Sequence, residues 1–127
     1  MKIRNMLGLL TAAVLMTSTS AALAGGDAAA GAKIFKKKCH VCHTVEAGGS
    51  NKIGPNLHTV AGRAAGTWEG FRYSKAMKES GITWTDENLD HFLTKPRDFV
   101  KKTKMTFPGL KKEDDREDVI AFLKSQK

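Results

Sequence analysis

The chain has 127 residues, a formal net charge of +8 from 21 Lys+Arg against 13 Asp+Glu, and two cysteines. That length suits one domain, and two cysteines exclude a disulfide framework. A 41% hydrophobic content with a mean hydropathy of −0.33 excludes a multi-span membrane protein and wholesale disorder.

The chain opens with Lys2 and Arg4, an apolar run from Met6 to Met16, and Ala22-Leu23-Ala24 before Gly25. A basic start, a short apolar stretch and an A-x-A site predict a cleaved secretory signal over 1–24. The run is too short to span a bilayer. A single domain is expected over 25–127, working outside the cytoplasm in a periplasm. Asp27 suits the N-cap of a first helix in which Ala28, Ala32, Phe35 and Cys39 recur at helical spacing. Between Thr44 and Ser74 runs a glycine-rich stretch, too long for a compact domain unless something organises it. Ser74 caps a short helix through KAMKES that ends by Gly81. Thr85 caps DENLDHFLTK, which has acidic residues in its first turn and Pro96 as its stop. A last helix runs from Lys112 to Ser125, with Glu113, Asp114 and Asp115 at its start and Lys124 near its end. That order complements the helix dipole. No segment alternates as a strand does, so the fold is expected to be all-α.

The chemistry concentrates at Cys39-His40-Val41-Cys42-His43. C-x-x-C-H is the attachment signature for c-type haem. On a helix, positions i, i+3 and i+4 share a face, so Cys39, Cys42 and His43 can meet one flat ligand. The thiols can form thioethers with the haem vinyl groups, and His43 then lies under the iron. A zinc site would need further ligands at suitable spacing, and no other cysteine exists. One protein ligand leaves the sixth iron position to be filled. Beyond residue 24 the methionines are Met77, inside the short helix and suited to packing, and Met105, a lone apolar residue among lysines. His58 and His91 could also ligate, though each reads more simply as a surface or internally satisfied histidine. A Met/His pair raises the iron's reduction potential. The residues alone leave other classes open. One is a haem peroxidase or gas-binding protein with a vacant sixth position, another a dithiol oxidoreductase.

The stretches GDAAAGAKIF, CHVCHTVEAGG, GPNLH, YSKAMK, GITW, TKMTFPGL and DVIAFLK together make the chain resemble class I cytochrome c, in its bacterial c2 and mitochondrial branch. The resemblance implies an all-α small cytochrome c fold, its helices and long loops wrapped around one covalently attached haem c. It implies Cys39 and Cys42 as the covalent anchors and His43 and Met105 as axial iron ligands. The Pro55 carbonyl is then expected to accept a hydrogen bond from the His43 ring. Arg63, Tyr73, Trp84 and Thr103 match positions around a haem propionate. By the same resemblance Gly31 and Phe35 contact the last helix near Val119 and Phe122. Two positions depart from the pattern: Phe92 stands where many relatives have Tyr, and Met77 where many have Asn. Both changes make the distal side more apolar.

The implied function is a one-electron carrier rather than an enzyme, cycling Fe(II)/Fe(III) in a periplasm. Lys36, Lys37 and Lys38 precede the haem motif, and Lys101, Lys102 and Lys104 flank Met105. These six are expected to form a docking ring for acidic redox partners, such as a cytochrome bc1 complex, a cytochrome oxidase or a photosynthetic reaction centre. Such rings steer encounter more than they tighten it. Neither nucleic-acid binding nor stable membrane insertion is expected, and the carrier is expected to be a monomer.

Overall fold

A computed structural model describes residues 25–127; the expected leader over 1–24 lies outside the described residues. Five helices follow in order: α1 (Ala28–Lys38), α2 (Lys75–Lys78), α3 (Asp86–Thr94), α4 (Pro96–Phe99) and α5 (Glu113–Ser125). The only β pairing among the described residues is an isolated antiparallel bridge between Ala64 and Thr83. The all-α expectation therefore holds.

Capping explains most of the helix starts. The Asp27 carboxylate accepts from the amides of Ala29 and Ala30, the Ser74 hydroxyl from Met77, and the Thr85 hydroxyl from Asn88. Each satisfies backbone donors that a helix start leaves unpaired. Lys112 precedes α5 with no side-chain cap, so the acidic first turn supplies the electrostatic complement instead. Pro96 ends α3 as expected and then serves a second purpose as the first residue of α4. A proline is well placed there, because its missing N–H would be unpaired at a helix start in any case.

The two ends of the described chain are packed together, α1 against α5. Gly31 is buried at the crossing, where a Cβ would overlap the Asp118 carbonyl and lie 2.8 Å from Phe122 Cβ. The Phe35 and Phe122 rings meet beside it at 5.3 Å, and Val119 is only 1% exposed. Asp118 also accepts a hydrogen bond from the Asp27 amide at 2.7 Å, closing the start of α1 onto α5. Burying side chains of this size contributes roughly 1.5–3 kcal/mol each. α3 packs against both α4 and α5, adding Leu89, Phe92 and Leu93 to the core.

Several of these packed core residues also face an interior space. Phe35, Leu89, Phe92, Leu93, Val119 and Leu123 all border one cavity of about 630 Å³. The remaining walls come from Lys38, Met77 and Trp84 and from the two long irregular segments, 39–74 and 100–112. Loop lengths that are puzzling in sequence are thus explained by geometry, since they span the sides of an interior space.

Candidate functional site

α1 ends where the cysteine motif begins. The amides of Cys39 and His40 both donate to the Phe35 carbonyl, at 2.8 and 2.9 Å, and this closes the helix. The chain then makes one further turn, in which the amides of Cys42 and His43 donate to the Cys39 carbonyl at 3.0 and 2.9 Å. The motif therefore lies on a turn after the helix rather than on the helix itself. The i+3 and i+4 bonds preserve the shared face all the same, and Cys39, Cys42 and His43 all border the cavity.

Burial, reinforced by the neighbouring Cys42, pushes the Cys39 thiol up to about 11. A dithiol oxidoreductase needs the opposite, a thiol depressed toward neutrality so that the thiolate can attack. That alternative loses its support.

His43 is 9% exposed, and its Nδ1 lies 2.7 Å from the Pro55 carbonyl oxygen. A carbonyl can only accept, so Nδ1 carries the proton and Nε2 keeps its lone pair for the cavity. Burial also holds the imidazole below its ordinary pKa, which keeps it neutral. Pro55 is fixed in turn by a polar network in the loop. The Gly54 amide donates to the Cys42 carbonyl at 2.8 Å. Asn56, wholly buried, donates through its amide group to Thr44 Oγ1 at 2.7 Å and to the Glu46 carbonyl at 2.9 Å. Its side-chain oxygen accepts from the His58 amide at 2.7 Å, and its own amide donates to Asn51 Oδ1 at 2.8 Å. Such an arrangement around a metal-ligating imidazole fixes the ring and raises its basicity.

Met105, half-buried, borders the same cavity, as do Met77, Arg63, Tyr73, Trp84 and Thr103. All nine residues expected at the haem are thus gathered on one space. Thr103 has an additional role, its Oγ1 accepting from the Met105 amide at 3.3 Å. Arg63 donates to the His58 carbonyl at 3.0 Å, and its guanidinium stacks 4.5 Å above the Trp68 ring. The Tyr73 hydroxyl accepts from the Trp68 amide at 3.2 Å. Met77 and Phe92 are both buried, and Phe92 packs on Trp84 with ring centroids 4.9 Å apart. His58 directs its ring to the Val45 carbonyl, and His91 is exposed beside Glu87.

The six expected docking lysines are all exposed, but only Lys38 and Lys104 border the cavity. Lys36, Lys37, Lys101 and Lys102 do not. Sequence reasoning missed Lys52, whose ammonium donates to the His40 carbonyl at 2.5 Å. It also missed the part played by Gly54, where a Cβ would overlap the edge of the His43 ring. The only signal for Gly54 was its place in GPNLH, immediately before the carbonyl that orients His43.

The site suits a large, flat, mainly apolar group. A mainly apolar space of about 630 Å³ is far larger than the gaps a close-packed interior leaves. A fold can afford such an interior only as a binding space. Two thiols, a neutral imidazole and a thioether sulfur border it, groups able to anchor a haem covalently and to ligate its iron. Among the described residues no three His, Cys, Asp or Glu side chains converge on a bare metal ion.

The Cytochrome c family profile matches residues 28–127. This chain belongs to the cytochrome c family. It is 51% identical over 102 residues to the cytochrome c of Gibberella zeae, covering 80% of this chain and 96% of that one. It is 50% identical over 107 residues to the cytochrome c of Chlamydomonas reinhardtii, covering 84% and 96%. To that of Arabidopsis thaliana it is 48% identical over 101 residues, covering 80% and 90%. Cytochromes c carry one covalent haem c and are electron carriers rather than enzymes. Among the described residues no helix is long and apolar enough to cross a membrane.

The periplasmic location expected from the N-terminal pattern is not upheld. The relatives come from a fungus, a green alga and a plant, none of which has a bacterial periplasm.

Proposed function

We propose that His43 and Met105 are the axial ligands of the haem iron and that Cys39 and Cys42 are its covalent anchors. The carrier then passes single electrons to and from acidic partner proteins at the lysine-framed side of the cavity. The observation that carries this reading is the convergence of these four residues on one cavity, together with the 2.7 Å bond that presents His43 Nε2 to it. Haem supplies a reversible one-electron couple at its iron. The chain supplies everything that makes that couple fast and selective. The Pro55 carbonyl fixes the imidazole, so its Nε2 would be held in one orientation toward the iron. Apolar walls from α1, α3 and α5 exclude water and hold the surroundings rigid. Arg63, Tyr73, Trp84 and Thr103 line the same cavity and would hold the haem propionates.

Lys38 and Lys104 sit at the cavity, with Lys36, Lys37, Lys101 and Lys102 exposed nearby in sequence. A positive frame of this kind raises the encounter rate with an acidic surface and leaves the complex weak and short-lived. Cytochrome bc1 complexes, cytochrome oxidases and photosynthetic reaction centres that present carboxylates around a redox centre fit this description. Residues 25–127 act as one domain.

Two measurements test this. Met105→Leu removes the spectroscopic signature of methionine ligation from the oxidised protein, whereas Met77→Leu retains it; the reverse pattern would reassign the ligand. Electron-transfer rates with a purified bc1 complex or oxidase fall steeply as salt shortens the Debye length from about 30 Å at 0.01 M to about 8 Å at 0.15 M. Lys38→Glu and Lys104→Glu flatten that dependence. A rate indifferent to salt would overturn the docking assignment.

A further inference from the structure

We propose that Arg116 and Asp90 are positioning residues for Met105, clamping the downstream end of the loop that carries it. The inference rests on the reading of Met105 as an iron ligand, but the geometry that motivates it is independent of that reading.

Residues 100–112 connect α4 to α5. The upstream end is fastened by a turn in which the Thr103 amide donates to the Val100 carbonyl at 3.1 Å, followed by the Met105 amide on Thr103 Oγ1. From 104 to 109 the chain makes no backbone–backbone hydrogen bond among the described residues. Met105 is therefore held by its side-chain contacts and by whatever fixes the two ends.

One side chain grips the downstream end at two carbonyls. Arg116 Nη1 donates to the carbonyls of Leu110 and Lys111 at 3.0 and 3.1 Å, while Nε donates to Asp90 Oδ1 at 2.7 Å. The arginine side chain is 11% exposed and the aspartate side chain 38%. One planar fork thus ties α5, α3 and the loop together. The Leu110 amide adds a bond to the Leu93 carbonyl at 2.7 Å. Lysine cannot imitate this, because a point ammonium does not present a rigid fork. Asp90 keeps a largely buried guanidinium compensated, and without it Arg116 is drawn toward solvent and off the two carbonyls. A segment held mainly at its ends opens as a unit. The clamp therefore sets how often Met105 leaves the iron, without touching either.

The test uses the haem-loaded protein and the variants Arg116→Lys, Asp90→Asn and Asp90→Glu. Amide hydrogen exchange is followed at Leu110 and, as the reference for global opening, at Phe35 inside α1. The methionine-ligation signature is followed against denaturant alongside helix content. Arg116→Lys is expected to speed Leu110 exchange tenfold or more, Asp90→Asn by a smaller factor, and Asp90→Glu to restore near-native exchange. Phe35 exchange stays within threefold of native, and the signature disappears before the helices unfold. Unchanged Leu110 exchange would overturn the clamp, and so would Leu110 and Phe35 accelerating together, which marks a general loss of stability. Absence of the methionine signature from the unaltered protein would instead overturn the ligand reading, leaving the exchange result to stand alone.

Discussion

Gly54 lies against the edge of the His43 ring, so that an added Cβ would overlap Cε1 and sit 2.6 Å from Nδ1. The backbone of Gly54 is not in the left-handed region, so its role is wholly steric. Gly54→Ala must displace either the imidazole or the Pro55 carbonyl that holds it. Overpacking at so constrained a point costs typically 1–3 kcal/mol. We expect a lowered thermal midpoint together with a shifted His43 ring resonance. An alanine variant with native values for both would show that the ring has room to move.

At the α1–α5 crossing, Gly31→Val drives a branched side chain into the Asp118 backbone and the Phe122 Cβ. Backbone cannot rotate away as a side chain can, and the helices must part, exposing Phe35 and Val119. A loss of 3 kcal/mol or more, roughly the burial of one or two such side chains, is the expected scale. The check is a thermal melt of the holoprotein, in which an unaltered midpoint would contradict the close approach.

Lys102 has φ +65°, a left-handed conformation that costs a non-glycine residue on the order of 1 kcal/mol. It occupies the third position of the turn closed by Thr103 and Val100, where glycine is ordinarily favoured. Lys102→Gly should raise stability by about 0.5 kcal/mol once the greater freedom of the unfolded glycine is discounted. Denaturant titration reads this as a higher midpoint at constant slope.

Burial raises the Tyr73 hydroxyl above its ordinary value of 10.0. The unfolded chain therefore loses that proton first as pH rises, so the native state holds more protons and stability falls with increasing pH. The contribution is fully present below about pH 10 and disappears as pH climbs through the native value. Tyr73→Phe removes it. The difference in thermal midpoint between native protein and variant should move in favour of the variant as pH rises above 10, and a constant difference would contradict the assignment.

What could be read in advance follows from how local each determinant is. Asp27, Ser74 and Thr85 announce their helices because a cap bonds to amides two or three residues away. α4 was missed because Pro96 reads as a stop, and its use as a start depends on a single extended residue, Lys95, separating the two helices. The cysteine motif was legible as chemistry, yet its placement on a turn beyond α1 was not, since both arrangements bring i+3 and i+4 together. The Asn56 network reaches residues 44, 46, 51 and 58, and Arg116 reaches back to Asp90. Neither pairing has a local signature. The lysines were identified correctly as exposed, but sequence proximity to a ligand overstated how many reach the cavity.

Pairing α1 with α5 carries a kinetic consequence. The Asp27–Asp118 bond spans 91 positions, so the contact that closes the fold is among the most distant the chain can make. Closing so long a loop is entropically costly and slow. α5 must be synthesised before α1 finds its helical partner. Until then Cys39 and Cys42 belong to an open chain, reachable by whatever joins them to their cofactor.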